Sequence, residues 1–367
     1  MNQTSANSTI NWVSFLFIAL SLTVVSGCTG SKVISDVGKA KLRFSVLTIN
    51  LQGTYDNYGQ DRPTWQTRYS RIGNWMATNN KIPDFIALQE VHGQSGGLSP
   101  FETLFTLLSS IKVQTNVSYR IAYLTVRPVP QGLFLQPLWA GNALLYNPDR
   151  INNRTFGSGS TTITSPFDNE TAIGVHARKS LPCQTSNNLC SQIDGDGVSW
   201  VSSYRGQDGR WYPGPSFARF ELKDPSAQGR FIHMYNLHVQ YQQSERNNQG
   251  PPTIYLAEFN RLLQNIESRF TNEKLYPPVV LGDFNLGEGD VLSNFNNFEK
   301  AGYDRDVEGV LVGNYTAFNS SQRAYYKYEL APEDFIDPAT NGQSACGHVG
   351  ILWSDHCAMF VQFSPAP

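Results

Sequence analysis

Short runs of apolar residues, some alternating with polar residues, divide most of the chain into predicted strands. Helical spacing is clearest where Trp65, Tyr69, Ile72 and Met76 recur at every third or fourth position. The predicted strands lie in KLRFSVLTIN, DFIALQEV, RIAYLTV, AGNALLYN, SFARFEL, RFIHMYNLHVQ, PVVLGDFN and CAMFVQF, and further predicted helices in FETLFTLLSSI and TIYLAEFNRLLQNIESRF. Short strands alternating with a few helices indicate an α/β or α+β fold.

One long stretch departs from this pattern. Residues 151–212 are rich in Gly, Ser, Asn and Thr and show little periodicity, which predicts long surface loops. No boundary divides the patterned part of the chain, so residues 42–367 are predicted to form a single domain.

The first residues have the pattern of an export segment. Trp12–Val25 is apolar but short for a membrane span of about 20 residues, and the small residues before Cys28 fit a cleavage site. Val25–Cys28 resembles the lipobox of bacterial lipoproteins, in which Cys28 would carry lipid. Residues 1–11 contain no Lys or Arg, so a plain signal peptide or an uncleaved anchor are the alternatives. We predict an export segment at 1–28, a linker at 29–41, and a secreted or membrane-anchored lipoprotein.

Charge and cysteine content narrow the function classes. The net charge of −2 provides no strong basic field, so a nuclease would need local basic groups or metal ions in its cleft. In an exported chain, the four cysteines after Cys28 allow two disulfides, and three pairings remain open: Cys183, Cys190, Cys346 and Cys357. Their spacing does not match a zinc finger.

Polar residues stand at the ends of four predicted strands and directly before a fifth. They are Asn50, Gln89 with Glu90, Asn236 with His238, Asp283 with Asn285, and Asp355 with His356. If one rim of a sheet collects them, their oxygen atoms suit Mg²⁺, with Mn²⁺ or Ca²⁺ as alternatives, and the histidines can exchange protons near neutral pH. Residues two apart in a strand share a face, which predicts that Asp283 and Asn285 point the same way. A turn is the alternative interpretation of this stretch.

Six motifs carry a resemblance to a known superfamily. In chain order they are Thr48–Leu51, Leu88–Glu90, Gly141–Leu145, Asn236–His238, Gly282–Asn285 and Ser354–His356. This order resembles the endonuclease/exonuclease/phosphatase superfamily, the deoxyribonuclease I-like fold, over residues 42–364. The resemblance implies a four-layered sandwich of two packed β-sheets flanked by helices, and metal-assisted hydrolysis of a phosphoester.

The resemblance also implies a metal-binding role for five residues. Glu90 corresponds to the principal metal ligand, with Asn50 beside it. Asp283 and Asn285 correspond to residues that face the scissile phosphate, where Asp283 orients the attacking water or holds a second metal. Asp355 lies in the same site, next to the histidine of the last motif.

Catalytic roles follow from the same resemblance. His356 corresponds to the general base, and Asp334 is the candidate for its orienting partner, with Asp337 as the alternative. His238 corresponds to the group that hydrogen-bonds the phosphate or protonates the leaving oxygen, and Asn142 is its candidate partner.

Three functions remain open on the sequence. The first is an exported, metal-dependent phosphodiesterase, an endonuclease acting on DNA or RNA as a monomer. The second is an enzyme with the same chemistry and another substrate: a phospholipid phosphodiesterase similar to sphingomyelinases, or a phosphatase. The third is a catalytically inactive toxin or binding module, against which the two motif histidines argue. No arginine occurs directly before SFARFEL, where deoxyribonuclease I binds phosphate, although Arg210 or Arg219 could substitute.

Overall fold

The structure is a computed structural model of the 367-residue chain. It describes residues 43–51, 64–91, 100–124, 127–129, 138–154, 174–180, 198–205, 211–213, 215–239, 253–270, 274–303, 308–313, 328–330 and 358–365. From Phe44 onward the described residues belong to one compact unit. Among them, no helix is both long enough and apolar enough to cross a membrane.

Strands make up about half of the described chain. They are β1 (Phe44–Asn50), β2 (Phe85–Gln89), β3 (Arg120–Leu124), β4 (Arg127–Val129), β5 (Leu138–Ala140), β6 (Ala143–Tyr146), β7 (Ile151–Asn153), β8 (Gly174–Ser180), β9 (Val198–Arg205), β10 (Trp211–Pro213), β11 (Ser216–Leu222), β12 (Arg230–His238), β13 (Lys274–Leu275), β14 (Val279–Asp283), β15 (Phe298–Tyr303), β16 (Glu308–Gly313), β17 (Tyr328–Leu330) and β18 (Met359–Pro365). The helices are α1 (Trp65–Thr78), α2 (Pro100–Thr115), α3 (Thr253–Arg269) and α4 (Glu288–Asn294), with a 3₁₀ turn at Pro225–Ala227.

Two mixed sheets dominate the architecture. The six-stranded sheet has the order β17-β18-β1-β2-β6-β3. The seven-stranded sheet has the order β15-β16-β14-β12-β11-β7, and β13 pairs with β12 at its side. The pairs β1 with β2 and β12 with β14 are parallel, so the carboxyl ends of each pair meet at one edge of its sheet.

Helices cover the outer face of each sheet. Leu47 and Ile49 of β1 pack with the buried faces of α1 and α2 in one apolar cluster. Tyr235 and Leu237 of β12 pack with α3 and α4 in a second cluster. Because successive side chains of a strand point to opposite faces, the residues between them face the other sheet.

Aromatic contacts join the inner faces of the two sheets. The ring of Phe220 in β11 lies 4.8 Å from that of Phe85 in β2 and 5.6 Å from that of Tyr146 in β6. The layers are therefore helix, sheet, sheet and helix. The four-layered sandwich that the resemblance implied is confirmed.

The sequence patterns located most of these elements and missed others. The strands and helices predicted from apolar periodicity are present, with the strand ends at Asn50, His238 and Asp283. The prediction of surface loops throughout 151–212 was wrong in part, because this stretch contains β7 and most of a three-stranded sheet formed by β8, β9 and β10. These strands were not predicted because their sequences show little periodicity. The short α4 and the strands β15 to β17 were not predicted either.

Candidate active site

Four strand ends meet between the two sheets. Asn50 at the end of β1 lies opposite Gln89 at the end of β2, and His238 at the end of β12 lies opposite Asp283 at the end of β14. Asn50, Gln89 and Asp283 are almost completely buried. The predicted gathering of polar strand ends at one rim is thus present for the residues that the structure describes.

Asp283 is the most enclosed carboxylate of this cluster. Its side chain is 1% exposed. Its Oδ2 accepts a 2.9 Å hydrogen bond from Asn50 Nδ2, and its Oδ1 accepts a 2.8 Å bond from the backbone N–H of Asn285. Burying a carboxylate costs free energy unless such donors replace water, so these bonds offset that cost and fix the orientation of the side chain.

His238 lies between two carboxylates. Its Nε2 is 3.5 Å from Asp283 Oδ2 and 3.7 Å from Glu90 Oε1. Both distances exceed those of a direct hydrogen bond and still allow strong electrostatic attraction when the imidazole is protonated. Glu90 is the more accessible of the two carboxylates, with 26% of its side chain exposed against 1% for Asp283. A ligand that enters from solvent would therefore meet Glu90 first.

Two of these residues have an unusual backbone conformation. Glu90 has φ 50° and Asn285 has φ 49°, both in the left-handed region. For a residue other than glycine this costs of order 1 kcal/mol and is tolerated where surrounding contacts hold it. Glu90 directly follows β2, and its left-handed backbone directs its carboxylate differently from an extended strand residue.

The chain leaves the strand directly after Asp283. β14 ends at Asp283, and the left-handed conformation of Asn285 breaks the alternation that predicted a shared face. Asn285 Nδ2 donates a 2.7 Å bond to the carbonyl of Val239 instead. The turn interpretation remains a prediction, and the Asp283 carboxylate is part of the cluster. The catalytic role of Asn285 remains a prediction.

Asn142 lies fully buried beside the end of β2, where the carbonyl of its neighbour Gly141 accepts a 2.8 Å bond from the N–H of Val91. Its role as the partner of His238 remains a prediction. The structure places the His238 ring beside Asp283 and Glu90, which the sequence had not indicated as partners of this histidine.

Several predicted residues lie outside the described part of the chain. They are Asp334, Asp337, Asp355 and His356 of the site, the export segment 1–28, the linker 29–41, and all five cysteines. Their roles remain predictions.

One buried cation at this rim was missed in the sequence. Arg68 in α1 is 3% exposed, and its Nη1 donates a 2.9 Å bond to the carbonyl of Leu51, directly after Asn50. The signal was its position, because Arg68 falls between Trp65 and Ile72 on the apolar face of the helix. A guanidinium there fixes the backbone that follows β1.

The donor set of the cluster fits a hard divalent cation. Among the described residues no three His, Cys, Asp or Glu side chains form a ready metal cage. Mg²⁺ is usually held by only one or two carboxylates, with water and phosphate oxygens completing its shell. Glu90, partly exposed, and Asn50 carry side-chain oxygens of this kind, and Asp283 adds a carboxylate beside Asn50; their roles as metal ligands remain predictions.

Comparison with solved structures finds similar folds at low sequence identity. No family model matches the chain, and no curated protein matches it. The human Nocturnin catalytic domain with bound sulfate is 15% identical, with 88% of this chain and 94% of that chain covered and a TM-score of 0.45. Two endonuclease/exonuclease/phosphatase family proteins, from Leptotrichia buccalis and Bacteroides thetaiotaomicron, are each 13% identical with a TM-score of 0.43, covering 87% and 88% of this chain and 99% and 97% of theirs.

Proposed function

We propose that the chain is a divalent-metal-dependent phosphodiesterase, and that its substrate is a nucleic acid cleaved within the strand. The observation that carries the proposal is the position of His238 Nε2, 3.5 Å from the Asp283 carboxylate and 3.7 Å from that of Glu90, at the meeting point of four strand ends. A proton-exchanging group between two carboxylates suits hydrolysis of an anionic ester better than binding alone.

The residues of the cluster divide the chemical work. Glu90 and Asn50 would hold Mg²⁺, which when bound offsets the negative charge of the phosphodiester. Asp283 would orient the attacking water, and its carboxylate lies 3.5 Å from Nε2 of His238. A protonated His238 can donate a hydrogen bond to a phosphate oxygen or a proton to the leaving oxygen. His356, Asp355, Asp334, Asn142 and Asn285 complete the proposed machinery on the strength of the sequence resemblance.

Export also belongs to the proposal. A signal peptide or lipidated Cys28 would put this hydrolase outside the cytoplasm, secreted or anchored to a membrane. The net charge of −2 gives the protein no general attraction for polyanions, so binding of nucleic acid would depend on the metal and on local basic groups at the cleft.

The test compares three substrates for the purified chain. Nicking of supercoiled DNA, release of phosphocholine from sphingomyelin and hydrolysis of a small phosphomonoester are followed with Mg²⁺ and with EDTA. The variants are Glu90→Gln, His238→Gln and Asp283→Asn, which change charge but little volume. Asp149→Asn is the matched control, because Asp149 lies exposed in the turn between β6 and β7.

We expect Mg²⁺-dependent nicking that falls by about 10²–10⁴-fold in the three site variants and not in the control. Hydrolysis of sphingomyelin without nicking would move the substrate to the lipid class. A folded wild-type protein that hydrolyses none of the three substrates would contradict the proposal and favour an inactive binding module.

A further inference from the structure

Asn236 joins the two sheets directly beside the candidate site. It is fully buried in β12, two residues before His238, so both side chains extend from the face that meets the other sheet. Its Nδ2 donates to the carbonyls of Leu88 at 3.1 Å and Ala143 at 3.0 Å. Its Oδ1 accepts a 2.7 Å bond from Gln89 Nε2. Both amide N–H groups and the amide oxygen are thus used across the interface.

The partners of Asn236 are close neighbours of site residues. Leu88 and Ala143 lie opposite each other in the pairing of β2 with β6. Gln89 directly precedes Glu90, and Ala143 directly follows Asn142. One amide therefore ties the strand that carries His238 to the two strands whose ends carry Glu90 and Asn142.

The connection extends to a third strand through Gln89. Gln89 Nε2 also donates a 3.1 Å bond to Oγ1 of Thr48, two residues before Asn50 in β1. The buried amides of Gln89 and Asn236 thus form a continuous link from β1 through β2 to β12. All three strands end at the candidate site.

This link sets the spacing of the sheets where the chemistry is proposed. His238 comes from one sheet and Glu90 from the other, so their 3.7 Å contact depends on how closely the sheets approach at this end. Removing the Asn236 amide would leave two carbonyls and the Gln89 amide buried without these bonds, which costs free energy unless the sheets separate or admit water. Either response moves His238 relative to Glu90.

We propose that Asn236 is a positioning residue, which holds the two sheets at the separation that places His238 against Glu90. Its consequence for catalysis rests on the proposed phosphodiesterase function. The competing explanation is a buried polar group that contributes to stability alone.

The other end of the same interface offers a matched control. Phe220 packs across it against Phe85 at 4.8 Å, at the level of Ile232 in β12 rather than Asn236. Phe220→Leu should therefore weaken the packing of the sheets far from His238. Asn236→Ala removes all three cross-sheet bonds. Gln89→Leu removes one of these three, together with the bond from Gln89 to Thr48. The milder Gln89→Leu keeps the test open if Asn236→Ala does not fold.

Three measurements on the full chain separate positioning from stability. The first is the imidazole resonance of His238 in the nuclear magnetic resonance spectrum, identified by its absence in His238→Gln. The second is the affinity for Mn²⁺ by titration calorimetry, and the third is kcat and KM for DNA nicking.

We expect Asn236→Ala to shift the His238 resonance, to weaken Mn²⁺ binding about tenfold and to lower kcat more than it changes KM. Gln89→Leu should do the same to a smaller extent. Phe220→Leu should lower the unfolding midpoint and leave all three measurements at wild-type values.

A His238 resonance unchanged in Asn236→Ala and in Gln89→Leu would overturn the inference and leave Asn236 with a stabilising role alone. A wild-type protein that neither binds Mn²⁺ nor hydrolyses a phosphoester would refute the proposed function instead. The resonance would still decide whether Asn236 positions His238, because that measurement requires no activity.

Discussion

The side-chain amide of Asn50 donates a 2.9 Å hydrogen bond to the carboxylate of Asp283, which lies 233 positions later in the chain. The two residues end strands of different sheets, and both are buried. The bond can form only when the sheets have packed together. Folding of the sandwich and assembly of the site are therefore coupled through this pair.

Asn50→Leu should destabilise the protein by about 1–3 kcal/mol, because it removes a donor from a carboxylate that remains buried. Urea unfolding at neutral pH measures the change. Asn297→Leu, at an exposed position, is the control and should change the unfolding free energy by less than about 0.5 kcal/mol. In the double variant with Asp283→Leu, the loss should be smaller than the sum of the two single losses, since both partners are then apolar. Simple additivity would contradict the coupling.

Glu90 should be a position where stability and function oppose each other. Its φ of 50° suits glycine, so Glu90→Gly should be as stable as the wild type or more stable by up to about 1 kcal/mol. The same variant loses the carboxylate and should lose Mn²⁺ binding. Thermal unfolding and titration calorimetry on one preparation measure both effects.

Asn116→Gly provides the comparison for Glu90→Gly. Asn116 has φ 60° at the exposed end of α2, away from the strand ends of the site. We expect a gain in stability no larger than that at Glu90, because Asn tolerates this conformation better, and unchanged Mn²⁺ binding. Strong Mn²⁺ binding by Glu90→Gly would remove Glu90 from the proposed ligands.

Gly282 allows β12 and β14 to pair directly before the site. Its φ is 140°, and a Cβ at this position would lie 2.0 Å from the carbonyl oxygen of Leu237. Gly282→Ala should therefore cost more than about 3 kcal/mol, because backbone rather than a flexible side chain must move. It should also disturb His238, the next residue after Leu237.

Gly289→Ala is the matched control for that substitution. Gly289 lies in α4 with no neighbouring atom within 4 Å of an added Cβ. Alanine is the better helix former, so we expect a stabilisation of up to about 1 kcal/mol in urea unfolding. Similar losses from the two alanine substitutions would show that the close approach at Leu237 is not what requires glycine.

The strand ends of the site were predictable because two local rules agree there. Apolar periodicity places the end of β1 at Asn50 and the end of β14 at Asp283, and parallel pairing brings such ends to one edge. The approach of the second sheet could not be predicted from periodicity. The resemblance of six ordered motifs supplied it, by implying a four-layered sandwich.

Structural features that depend on tertiary contacts were not predicted from the sequence. The side chain of Asn285 bonds to the carbonyl of Val239, directly after β12, and its left-handed backbone breaks the alternation expected along β14. Asn236 looked like one more polar strand end, because its three partners in the other sheet are invisible in the sequence. The strands β8 to β10 pair with one another without a clear alternating pattern, so composition alone indicated loops there.

Asp84 should give the stability an identifiable pH dependence. Burial raises the pKa of its carboxyl above the ordinary value, although Arg150 at 2.6 Å and hydrogen bonds from Ser45 act in the opposite direction. A raised pKa means that the folded protein holds this proton more tightly than the unfolded chain does. The contribution of Asp84 is therefore fully present at low pH and is lost as pH rises through about 4 and then through the higher folded-state value.

Asp84→Asn removes this titration while keeping the shape of the side chain. The unfolding free energy of the wild type minus that of Asp84→Asn should decrease as pH rises from 3 to 7, measured by urea unfolding in matched buffers, with Asp149→Asn on the exposed neighbouring turn as control. If this difference in unfolding free energy increased with pH instead, the pKa of Asp84 would be lower in the folded protein than in the unfolded chain. The ion pair with Arg150, whose side chain is 44% exposed, would then outweigh the cost of burying the Asp84 carboxylate.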